Sequence, residues 1–96
     1  MTASRDGWIA LRREKLGACR VCCDPNRVEL HHLIPRSIGG GDVAANLVPL
    51  CRTCHERVTR REYLESAELA ESLSDAEYAY MVGKLGEGAV GRLFGV

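Results

Sequence analysis

The chain has 96 residues, no net formal charge, and a composition nearly half apolar and about a quarter charged. That profile excludes a disordered polyelectrolyte, and no apolar run approaches the roughly 20 residues of a membrane span. A single domain of this size buries too little surface for a comfortable core, so metal, disulfides or self-association are the expected supplements. The neutrality conceals an asymmetry. Residues 1–61 hold eleven Lys and Arg against six acids, whereas residues 62–96 hold two against seven. A basic front half is compatible with a polyanion partner, but so modest an excess favours an ordinary solvated surface.

In chain order, residues 5–16 read as a short helix. Trp8 and Leu11, with Ile9 and Leu16, offer an apolar face, and Gly17 suits a left-handed residue just past the helix end. The opening MTASRDGW lacks the basic-then-apolar order of a secretion signal, which points to the cytoplasm. There, paired cysteines hold metal more often than they form disulfides.

Cys19 and Cys22 follow in a tight turn that aims two sulfurs at one ion. Cys23 is the odd cysteine. It stands where such turns favour glycine at positive φ, as a tolerated substitute or as a competing ligand, and the spacing favours Cys22. Val28 to Leu33 reads as a strand stopped by Pro35. SIGGGD (37–42) is a flexible loop, and Leu47, Val48 and Leu50 form a second strand, with Pro49 implying an edge or an end. The two strands should pair antiparallel. A helix then opens at Thr53, where Thr53 and Glu56 have capping-box spacing, and runs to Thr59 or Arg61.

The remainder, residues 62–96, reads as a helical extension of the same domain. Leu64, Leu69, Ala70 and Leu73 give one stripe. Ser74 and Glu77 form a second capping box before Tyr78, Met81, Val82 and Leu85. Gly86 should end that helix and leave an irregular tail from Gly88 to Val96, with Val90, Leu93 and Phe94 available to dock. Met81 and the tyrosines are expected in the core.

Cys19, Cys22, Cys51 and Cys54 form two Cys-x-x-Cys pairs. Four thiolates suit a tetrahedral Zn2+ of structural role, since no coordination position remains for water. His31 and His32 are adjacent on a strand, so they should face opposite ways and do different work. His55, in the first turn of the helix, is placed to meet one of them.

The segment HHLIPRSIGGGDVAANLVPLCRTCH (31–55) resembles the HNH endonuclease motif of the ββα-metal fold, in its four-cysteine subclass. The resemblance rests on the histidine pair, Pro35, the double glycine, Asn46-Leu47 and the closing Cys54-His55. The implied fold is α+β: a ββα core over about 19–61, with an N-terminal helix and C-terminal helices. It implies His31 and His55 as ligands of a catalytic divalent ion, His32 as general base, and Asn46 as the residue that braces the hairpin and orients the base. Two imidazoles favour Mn2+, Zn2+, Co2+ or Ni2+ over Mg2+. Arg36, Arg52, Arg57, Arg60 and Arg61 are candidate phosphate contacts. The expected activity is hydrolysis of DNA to 5′-phosphate and 3′-hydroxyl ends. The rival expectation is a zinc-stabilised nucleic-acid-binding module without cleavage. One site cuts one strand, so a double-strand break would need a homodimer, a second encounter or a partner; a phage packaging partner is expected only by analogy.

Overall fold

The computed structural model describes residues 4–94. Its centre is a two-stranded antiparallel hairpin, β1 (Val28–His32) and β2 (Leu47–Cys51), in which Val28 pairs with Cys51 and His32 with Leu47. Helix α2 (Arg52–Thr59) leaves β2 directly, which completes a ββα unit. Helix α1 (Arg5–Lys15) precedes it. Helices α3 (Tyr63–Ser72), α4 (Asp75–Leu85) and α5 (Glu87–Phe94) follow. No helix among the described residues is long and apolar enough to cross a membrane.

Pro49 sits inside β2 opposite Leu30. In a two-stranded sheet both strands are edges, so a proline need not cost a ladder bond. Its carbonyl accepts the Arg20 N–H at 2.8 Å and fastens the first cysteine turn to the hairpin. Every residue of β2 is buried. The core spreads from there: Leu33, Ile34, Val48 and Leu50 meet Leu69, Met81, Val90 and Phe94 of the C-terminal helices, and the cluster runs on into Cys19, Cys51 and Cys54.

The loop between the strands is tightly specified. Gly39 is left-handed at φ +99°, and a Cβ on Gly40 would lie 1.7 Å from the Ile34 carbonyl oxygen, so only glycine fits there. Asn46 is fully buried. Its Nδ2 donates to the Ile34 and Gly41 carbonyls at 3.0 and 2.9 Å, and its Oδ1 accepts the Ile34 N–H at 2.8 Å. Tyr80 of α4 reaches the same loop, its hydroxyl accepting the Gly41 N–H at 3.0 Å.

Several local expectations are corrected. Helix α1 ends on Leu16 in an extended conformation, and Gly17 is not left-handed. Ile9 and Leu16 are exposed; Trp8 and Leu11 are half-buried. Helix α2 is capped by Cys51, whose sulfur accepts the Cys54 N–H at 3.4 Å, so Thr53 is two residues too late to be the cap. Leu64 is 67% exposed, and the buried side of α3 runs through Ser66 and Leu69. Tyr63 and Tyr78 are exposed rather than core. The expected irregular tail is helix α5, which buries Val90 and Phe94 one turn apart. Gly95 and Val96 lie outside the described residues. The Ser74–Glu77 box is formed at both of its hydrogen bonds, and Gly86, at φ +84°, ends α4.

Glu77 also does long-range work. Only 1% exposed, it accepts from Lys15 Nζ at 2.6 Å and from Arg20 Nη1 and Nη2 at 2.8 and 3.1 Å. One carboxylate thereby joins α1, the first cysteine turn and α4. Burial alone would raise its pKa, but the Arg20 and Lys15 charges and the Ser74 N–H outweigh that and hold it at about 2.

Candidate metal centres and active-site groove

The hairpin and the start of α2 bring Cys19, Cys22, Cys51 and Cys54 together, with all four sulfurs within 4.8 Å of one another. Four sulfurs around Zn2+ at Zn–S distances of roughly 2.3 Å lie about 3.8 Å apart, and Cys22 and Cys51 are already separated by 3.7 Å. The donor set fits a structural zinc. Burial would raise the Cys19 thiol, but the backbone N–H groups of Cys22, Cys51 and Val21 outweigh it and hold it near 7. Burial and the neighbouring sulfurs raise Cys54. Cys19 is therefore the readiest to ionise of these two, and a cation displaces the remaining protons. Cys23 is exposed, stands outside the group, and takes the positive φ of +66° itself.

At the end of β1 away from Cys51 stand His31 and His32, and His55 of α2 packs against the first of them. Glu29 and His31 are two apart on β1 and share the side that faces α2. The His31 ring packs edge-on to His55, with centroids 4.9 Å apart and planes at 75°. Glu29 Oε1 accepts from His55 Nδ1 at 2.5 Å, leaving His55 Nε2 for another partner. Burial, followed by the charges His55 and His32 would carry, lowers His31 to about 4. His31 is therefore neutral, with a lone pair to offer, across the ordinary pH range.

His32, the last residue of β1, has separate partners. Its Nε2 donates to Asp42 Oδ1 at 2.7 Å, and its ring lies parallel to Trp8 of α1, at 6.0 Å between centroids and 7° between planes. The two neighbouring histidines thus engage different groups. Both nevertheless line one open groove of about 300 Å3, with Leu30, Pro35, Arg36 and His55, because the chain turns off the strand at His32. A second cavity of about 150 Å3 is also lined by both, together with Thr59, Arg61, Leu93 and Phe94.

The candidate arginines are differently placed. Arg36 is committed to Asp42, with Nε on Oδ1 and Nη2 on Oδ2, both at 2.9 Å. Arg57 pairs with Glu65 at 3.5 Å and Arg60 with Glu62 at 3.3 Å. Arg61 borders the cavity beside His31 and His32, and Arg52 is exposed at the start of α2. The sequence reading missed Glu29, Asp42 and Trp8. Glu29 carried a usable signal, two residues before His31 on a strand. Asp42 and Trp8 carried none, since a loop aspartate and a helix tryptophan are commonplace.

A hairpin running into a helix, with a four-cysteine cluster and histidines from strand and helix in contact, defines a small α+β protein of ββα type. Residues 19–61 match the family model of the HNH endonucleases. The matched segment covers the first cysteine turn, the hairpin and α2; α1 and α3–α5 lie outside it. No curated protein matches the chain.

Proposed function

We propose that the chain is a metal-dependent DNA endonuclease whose catalytic residue is His32. The observation that carries this reading is the meeting of His31, from the strand, with His55, from the helix, beside His32 in one open groove. Two imidazoles from opposite elements, one neutral and the other oriented by Glu29, make a ligand pair for a borderline divalent ion such as Mn2+. When bound, such an ion supplies positive charge to the scissile phosphate and to the departing 3′-oxygen.

The chain's own residues do the rest. His32 takes the proton from the attacking water. Asn46 holds the loop so that β1 ends where it does. Glu29 accepts the Nδ1–H of His55 and fixes which nitrogen that ring presents. Arg52, Arg57, Arg60 and Arg61 are the candidate contacts to flanking phosphates, and contacts of that kind carry affinity without sequence preference. Zinc on the four cysteines holds the hairpin and α2 in register.

The test is nicking of supercoiled plasmid across a panel of Mn2+, Mg2+, Zn2+, Co2+ and Ni2+. His32→Ala should lower kcat by on the order of 100-fold or more while DNA binding persists. Binding without turnover in the wild-type protein under every metal would replace this reading with that of a binding module.

A further inference from the structure

We propose that α1, which lies outside the family-matched segment, is a working part of the site: Trp8 is a positioning residue that, with Asp42 and Arg36, fixes the ring plane and tautomer of His32. The inference deepens the nuclease reading and rests on it for its catalytic consequence.

The four side chains close a circuit. Trp8 stacks on His32 at 6.0 Å with near-parallel planes. Asp42, 7% exposed, accepts from His32 Nε2 at 2.7 Å. Arg36 grips both oxygens of Asp42 at 2.9 Å, and its guanidinium returns over the Trp8 ring at 5.5 Å. Each member touches the next, so none turns without disturbing the others.

The circuit solves a particular problem. The χ2 torsion of histidine is broad and roughly two-fold, so a single hydrogen bond leaves the ring free to pivot about it. The Asp42 bond fixes one point of the ring. A stacked aromatic face, at a separation typical of favourable ring pairs, fixes the plane. With Nε2–H held by a carboxylate, Nδ1 is the nitrogen left as proton acceptor. Arg36 holds Asp42 in place through both of its oxygens, which makes it a structural partner of the base rather than a contact to DNA.

Two readouts test this on the full chain carrying one equivalent of zinc: steady-state plasmid nicking with Mn2+, and long-range 1H–15N spectra of the histidine rings without a second metal. The wild type should show His32 as a single Nε2–H tautomer. Trp8→Ala leaves the Asp42 bond but frees the ring to pivot about it, so it should shift and broaden the His32 ring cross-peaks and lower kcat about tenfold, in line with the cost of a misplaced catalytic group, with KM within twofold. Trp8→Phe keeps an aromatic face and should recover most of both. Wild-type behaviour of Trp8→Ala in both readouts would overturn the proposal. So would equal loss in Trp8→Phe, because the ring face would then not be what matters. If the wild type cleaves nothing under any metal, the nuclease reading falls, while the His32 spectra still decide whether the clamp exists.

Discussion

Asn46 shows how much of this molecule rests on single side chains. Its amide satisfies three backbone groups at once, where the loop crosses back over the end of β1. Asn46→Ala leaves two carbonyls and one N–H buried without partners, and each such group costs about 1–3 kcal/mol. We expect a loss of about 3 kcal/mol or more, read as a lowered urea midpoint. Asn46→Asp should fare little better, because it keeps the acceptor and loses both donors. A midpoint unchanged in either variant would mean that the brace is not needed. Gly40 is equally constrained, and Gly40→Ala should be destabilising for the backbone contact it forces on Ile34. The residue identities around the motif were legible in the sequence because chemistry ties them to spacing: paired cysteines, paired histidines, an asparagine after a glycine loop. Asp42 and Trp8 were not legible, since what joins them to His32 is a meeting in space that no spacing rule encodes.

Among the elements, the hairpin and α2 meet at the cysteine cluster, and α5 depends on tertiary burial. Cys51 both closes the sulfur set and caps α2. Removing zinc with a chelator, or replacing Cys51 with Ala, should therefore abolish the hairpin and α2 together. The expected result is one cooperative loss of far-UV circular dichroism as metal is withdrawn; unchanged dichroism in metal-free protein would contradict it. Helix α5 poses the opposite case. Gly88 and Gly91 weaken its intrinsic propensity, which is why the sequence suggested an irregular tail. Burial of Val90 and Phe94 against the core makes the helix nonetheless. Phe94→Ala should cost about 3–5 kcal/mol, measurable by urea titration. The Ser74–Glu77 box was readable and the Thr53–Glu56 box misled, although both have the same spacing. At Thr53 a cysteine sulfur two residues earlier had already taken the capping role.

At the scale of the whole molecule, Glu77 ties α1 and α4 to the first cysteine turn, and its titration should appear in acid stability. Its carboxyl is held at about 2, against an ordinary value of 4.5. A group with a depressed folded-state pKa stabilises fully above its unfolded pKa, and loses that contribution as pH falls through the folded value. The window therefore runs from about pH 4.5 down to about pH 2, and the shift corresponds to on the order of 3 kcal/mol. Thiolates of the proposed zinc site would also protonate in acid, so the wild-type profile alone mixes two effects. Glu77→Gln separates them. It should be less stable than wild type at pH 5–7, where Lys15 and Arg20 are left without their carboxylate, and the gap should close as pH approaches 2. Metal release affects both proteins alike and cancels in the difference. If the two urea midpoints stay equally far apart from pH 6 to pH 2, the ion triad does not hold α1 and α4 to the first cysteine turn as its geometry requires.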